Sequence, residues 1–157
     1  MIYQSPTYGH VNEERLRTLV TAYMHADKKA QYEVIIGSDS QKIKTDTYDF
    51  VSALIIHKIG SGGIFFWQRD VVAKKMGLRE RIYLEAMRSL KMSEDFVSFF
   101  QKNGIAKYDM QIHVDIGKKG DTREMITEVV AMVRGSGYTV KIKPDSFGAS
   151  SVADRFT

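Results

Sequence analysis

The spacing of apolar positions changes along the chain, and each change marks an element. Asn12 precedes Glu13 and Glu14, and Leu16, Leu19, Val20, Tyr23 and Met24 follow at helical spacing. A capping side chain and two early carboxylates suit a helix start, so a helix is expected over about 12–29. The run Tyr32-Glu33-Val34-Ile35-Ile36-Gly37-Ser38-Asp39 is short and β-branched, and reads as a buried strand ending at the Asp. Residues 48–59 and 64–72 are also strand-like, and Gly60-Ser61-Gly62-Gly63 between them has hairpin-turn composition. Residues 78–91 read as a helix that 94–102 continues or restarts, stopped by Asn103-Gly104. A fourth strand falls over 110–116. Asp121-Thr122-Arg123-Glu124 then fits a capping box, opening a helix to about Arg134 before Gly135-Ser136-Gly137. A last strand covers 138–143, and the tail from 146 to 157 is expected to end in a short helix.

The order is therefore α-βββ-α-β-α-β-α. Three strands joined by short turns should pair antiparallel, and strands separated by helices should pair parallel. The expected fold is α/β: a mixed five-stranded sheet, three antiparallel then two parallel strands, flanked by helices and preceded by an extra N-terminal helix.

Composition narrows the class. The chain has 157 residues, 43% hydrophobic and 27% charged, which suits one soluble domain over 1–157. No segment repeats, and the two prolines, Pro6 and Pro144, mark no interior linker. The absence of cysteine excludes disulfides, a disulfide-linked partner and thiolate metal sites. MIYQSPTYGH lacks the layout of a signal peptide, and apolar runs such as Ala53 to Ile56 are far shorter than a membrane span, so a cytoplasmic protein with no membrane partner is expected. A net charge of +4 permits an anionic partner without requiring one.

Four carboxylates stand out by position. Asp39 ends the first strand, and Asp115 lies near the end of the fourth, before Gly117-Lys118-Lys119-Gly120. If these strands are parallel neighbours, both carboxylates emerge at one sheet edge, where open α/β sheets place ligands. Leu78, Ile82 and Glu85 point within about 40° of one another on their helix, with Ser89 nearby, so Glu85 faces the core while Glu80 points to solvent. Carboxylates converging in this way repel one another unless a cation neutralises them, and oxygen donors favour Mg²⁺ or Mn²⁺ over zinc. Other roles stay open: a strand-end Asp also serves as a turn former, and a core-facing Glu also pairs with Lys or Arg. His113, on the same strand face as Asp115, could neighbour a metal site but is more simply structural. Asp121 is a helix cap. Trp67 alternates with Phe65, which suits packing better than base stacking. Residues 69–91 carry seven basic and three acidic side chains, a net +4 equal to that of the whole chain. Lys74, Lys75, Arg79 and Arg81, joined by Lys118 and Lys119, are the candidates for a phosphate backbone.

Ile35-Ile36-Gly37-Ser38-Asp39-Ser40-Gln41, His113-Val114-Asp115-Ile116-Gly117 and the tail from Lys143-Pro144-Asp145-Ser146 to Val152-Ala153-Asp154 carry a family likeness. Together with the inward Glu85, they resemble the ribonuclease H-like superfamily and, more closely, the YkuK family of bacterial proteins, over essentially the whole chain. The resemblance implies a two-metal site in which carboxylates hold divalent ions for phosphodiester hydrolysis. By position Asp39 would bridge the ions, Glu85 and Asp115 would be the helix and fourth-strand ligands, and Asp154 the fourth, with Asp145 competing for that place. The leading expectation is a Mg²⁺- or Mn²⁺-dependent nuclease acting on RNA, DNA or a hybrid. The alternatives are a non-catalytic nucleic-acid-binding module and a phosphate-handling metabolic protein. The last is weakened because neither a phosphate loop nor a dinucleotide fingerprint is present.

Overall fold

In the computed structural model the described residues are 1–100, 110–118, 120 and 122–146. The chain opens with a hairpin that the apolar pattern did not announce, β1 (Ile2–Ser5) and β2 (Gly9–Asn12). Four-residue strands are too short to show alternation, and only Tyr3, Ser5 and Val11 among them are buried. The helix α1 (Glu13–His25) follows, with the Asn12 carboxamide oxygen accepting the Arg15 N–H at 2.8 Å. It stops short of residue 29 because the Asp27 carboxylate accepts the Lys29 N–H at 3.1 Å and pairs with Lys58 at 3.0 Å, favouring a turn over another helical residue.

The meander forms as expected, but its strands are longer: β3 (Tyr32–Lys44), β4 (Thr47–Lys58) and β5 (Gly62–Ala73). Gly60 and Gly62, at φ of 83° and 92°, supply the left-handed backbone that the turn between β4 and β5 requires. Asp39 does not end its strand. The ladder to β4 continues from Asp39↔Val51 to Lys44↔Thr47 through the buried Ser40 and the exposed Gln41, Lys42, Ile43 and Lys44, a stretch in which a single apolar residue leaves no alternation to read.

The helix α2 (Leu78–Phe100) is continuous over 23 residues, so the second stretch continues rather than restarts it. β6 (Met110–His113) pairs parallel with β3, and β7 (Thr139–Lys141) parallel with β6. Both are shorter than expected. Between them a 3-10 turn, Arg123–Met125, leads into α3 (Ile126–Gly135). Thr122 makes no side-chain cap; its hydroxyl accepts the Gly117 N–H at 3.3 Å instead. Asp121, Asn103-Gly104 and the tail beyond residue 146 lie outside the described residues.

The sheet has seven strands in the order β2-β1-β5-β4-β3-β6-β7, not five, because the N-terminal hairpin joins β5 through Gln4↔Trp67. Two apolar clusters fill the helix-covered face. Leu16, Val20 and Met24 of α1 meet Met92, Phe96 and Phe100 of α2 over Val34, Ile36, Leu54, Ile56 and Phe66. Ile82 and Ala86 of α2 meet Val129 and Val133 of α3 over Ile112, Val114 and Ile116. A smaller cluster of Val51, Ala53 and Trp67 lies on the opposite face. Among the described residues, no helix is long and apolar enough to cross a membrane.

Candidate functional site

Alternation along β3 sets the site. Ser38 and Ser40 turn toward α2, so Asp39 between them projects from the other side of the pleat. Helical spacing in turn aims Ile82, Glu85, Ala86 and Ser89 at the sheet, all of them buried. Glu85 is 4% exposed, and its Oε1 accepts the Ser40 hydroxyl at 2.5 Å. Arg81, one turn earlier on α2, donates from Nε to Ser40 Oγ at 3.2 Å and from Nη2 to the Ser40 carbonyl at 2.8 Å. Its guanidinium lies 5.0 Å from the centre of the Tyr48 ring.

Burial pushes the Glu85 carboxyl up to about 8, while the Ser40 hydrogen bond and the Arg81 charge pull it down. The charges of Asp39 and Asp115 push it up further. Glu85 therefore lies within electrostatic reach of both Asp39 and Asp115.

Asp115 reaches this point by a different local structure from the expected strand. β6 ends at His113, and the Ile116 N–H bonds to the Val114 carbonyl at 2.9 Å, a tight three-residue turn with Asp115 at its centre. The Val114 N–H to the Lys141 carbonyl and the Lys143 N–H to the Ile116 carbonyl, both at 2.9 Å, tie that turn to the chain beyond β7. Lys143 Nζ then stands 2.9 Å from Asp115 Oδ1. With Glu85 turned to Ser40 and Asp115 to Lys143, no three His, Asp or Glu side chains among the described residues are arranged to hold a metal ion. Asp154 lies outside the described residues. Asp145 lies inside them, in a turn where its N–H donates to the Ile142 carbonyl at 2.7 Å.

The basic candidates divide. Lys74 pairs with Glu80, and Arg79 pairs with Glu128 and lies over the Tyr83 ring. Arg81 points inward to Ser40. Lys75 and Lys118 are exposed and make no ion pair with any described residue, and Lys119 is outside the described residues. His113 is 3% exposed, and its Nε2 lies 3.2 Å from Gln111 Oε1. Burial lowers its pKa to about 4, keeping the ring neutral. Trp67 packs with Val51 and Ala53, as weighed from its alternation with Phe65.

Sequence reasoning did not assign Ser40, Lys143 or the buried serines. Ser89 Oγ donates to Ser38 Oγ at 3.0 Å, Ser38 and Ser52 share a 2.8 Å bond, and Ser93 Oγ reaches the Ser89 carbonyl at 2.8 Å. The available signal was serine at Glu85 plus four and plus eight, opposite serines at every second position of a strand.

A mixed sheet in which three antiparallel strands are extended by two parallel ones, with helices packed on it, is consistent with a ribonuclease H-like protein. The family model described as Ribonuclease H-like matches residues 15–157. Over 156 aligned residues, 92% of this chain and 87% of the other, the sequence is 34% identical to the uncharacterized protein YkuK of Bacillus subtilis (strain 168). The chain belongs to the YkuK family of ribonuclease H-like proteins.

Proposed function

We propose that the chain is a divalent-metal-dependent nuclease that hydrolyses phosphodiester bonds of RNA, DNA or a hybrid. The observation that carries this reading is the burial of Glu85 on the sheet-facing side of α2, bonded to the residue after Asp39. A structural carboxylate buried so deeply is normally matched by a Lys or Arg in direct contact. Here its direct partner among the described residues is a serine hydroxyl, and the nearby Arg81 gives its donors to that serine.

Asp39, Glu85 and Asp115 would hold Mg²⁺ or Mn²⁺, with Asp154 as the fourth ligand and Asp145 the competing candidate. An all-oxygen donor set with mutually repelling charges fits a hard divalent cation. When bound, such an ion activates water and stabilises the leaving oxygen of a phosphodiester. The chain's own residues prepare the site. Ser40 fixes the orientation of the Glu85 carboxylate, Arg81 holds Ser40, and the Tyr48 ring supports Arg81. Lys75, Lys118 and Lys119 offer charge to a phosphate backbone, whereas Lys74 and Arg79 must first leave Glu80 and Glu128.

The test is cleavage of labelled hybrid, single-stranded and branched substrates in Mg²⁺ and in Mn²⁺. Asp39→Asn or Asp115→Asn is expected to lower cleavage far more than Asp154→Asn, and Mn²⁺ should raise the melting temperature of wild type but not of Asp39→Asn. If wild type cleaves none of the substrates, or if activity survives Asp39→Asn, the non-catalytic binding module replaces the nuclease.

A further inference from the structure

We propose that Lys143 is a tethered competitor for the divalent ion, and that its displacement from Asp115 couples ion binding to nucleic-acid binding. This rests on Asp39, Glu85 and Asp115 being ion ligands, and adds the residue that sets the affinity of that site.

The placement of Lys143 is built into the fold. Its ammonium is 2.9 Å from Asp115 Oδ1, and its backbone N–H is held by Ile116, the residue after Asp115. Gly117 makes room for the lysine stem. A Cβ at Gly117 would stand 3.1 Å from Lys143 Cβ and 3.5 Å from its Cδ, so the stem would have to give by a few tenths of an ångström to admit a side chain there. Beside the stem lies a cavity of about 610 Å³ lined by Gly117, Lys118, Ile142, Lys143, Pro144 and Asp145. The Lys143 side chain is 58% exposed, so its ammonium has both space and solvent into which to swing.

The electrostatics follow. An ammonium on Asp115 offsets part of the carboxylate repulsion without an ion present. A divalent ion reaching the same carboxylate meets that positive charge and must displace it. The freed ammonium stays tethered at the sheet edge, beside exposed Lys118, where it gains a phosphate as partner. Ion binding therefore strengthens nucleic-acid binding, and reciprocity requires that nucleic acid strengthen ion binding by the same factor.

The experiment is Mn²⁺ binding, followed by electron paramagnetic resonance of the free ion, for wild type, Lys143→Met, Lys143→Arg and Asp39→Asn. Each is measured with and without a hydrolysis-resistant phosphorothioate oligonucleotide. Lys143→Met keeps the stem and loses the charge, and is expected to bind Mn²⁺ about five- to tenfold more tightly. Lys143→Arg, which keeps the charge, should stay close to wild type. The oligonucleotide should tighten Mn²⁺ binding to wild type and lose that effect in Lys143→Met. If Mn²⁺ binding depends on Asp39 but Lys143→Met leaves the affinity unchanged or weaker, the competitor role fails and the ion site stands. If wild type binds no Mn²⁺, or binds it independently of Asp39, the ion site and the competitor role fall together.

Discussion

The two halves of α2 bury different surfaces against one sheet, the N-terminal half adding a polar seam to the apolar contacts of Ile82 and Ala86. Toward its C-terminus, Met92, Phe96 and Phe100 pack on Val34, Ile36, Leu54 and Ile56, with the Phe96 and Phe100 rings 4.6 Å apart. Toward its N-terminus, Glu85 and Ser89 face Ser40 and Ser38, each joined to its opposite number by a hydrogen bond. The change from apolar to polar occurs at the same level on the helix and on β3. A single misplaced polar residue would cost stability without a partner, whereas a matched polar seam satisfies its donors and leaves a carboxylate where no core needs one. The apolar half holds α2 in place, and the polar half uses that rigidity to fix Glu85.

Substitutions at equivalent depth should separate the two halves. Phe96→Ala removes a fully buried ring from the larger cluster, and a loss of about 3–5 kcal/mol is expected from urea unfolding. A loss below about 1 kcal/mol would mean that the apolar half is not the anchor.

Glu85 gives the next largest effect, and it depends on pH. Below about 4.5 the carboxyl is protonated in both folded and unfolded chains. Between there and about 8 the unfolded chain releases its proton while the folded chain keeps it, so stability falls as pH rises through this window and the loss is complete above it. His113 acts in the opposite sense at lower pH. Its ring is held neutral to about 4 against an ordinary 6.5, so stability is lost as pH falls through that range. Glu85→Gln should remove the alkaline decline, whose slope is at most about 1.4 kcal/mol per pH unit for one proton, and leave the acid limb unchanged. An unchanged alkaline limb in unfolding curves from pH 5 to 9 would place the titrating group elsewhere.

The apolar half was readable from the sequence, and the polar half only in part. Periodicity located α1, the meander, α2 and the inward direction of Glu85, because each rests on repeated apolar residues whose burial dominates the local energy. The hairpin at β1 and β2 escaped because two four-residue strands gain their stability from β5, a long-range contact with no local signature. Asp39 looked like a strand end because apolar residues stop there, although the backbone ladder does not. Asp115 looked like a strand residue because Val114 and Ile116 flank it, yet the chain turns tightly at that point. Lys143 is set by backbone bonds to Ile116 and by the missing Cβ of Gly117, contacts between segments that only the folded chain brings together.

The smallest effect concerns Ser89, in the middle of the seam. Its hydroxyl donates to Ser38 Oγ at 3.0 Å and also lies 3.1 Å from the Glu85 carbonyl of its own helix. Ser89→Ala removes both contacts and opens little space. Ser38 keeps its bond to Ser52, so no buried donor is orphaned there. A change within about 1 kcal/mol is therefore expected, far below Phe96→Ala at similar depth. Ser89→Val should cost more, because added methyl groups would press on the closely approaching Ser38 and Ser52 strands. A Ser89→Ala loss approaching that of Phe96→Ala would show that the hydrogen-bonded seam carries the helix as much as the aromatic cluster does. A negligible loss would leave the seam as the setting for Glu85, with the task of holding α2 assigned to Met92, Phe96 and Phe100.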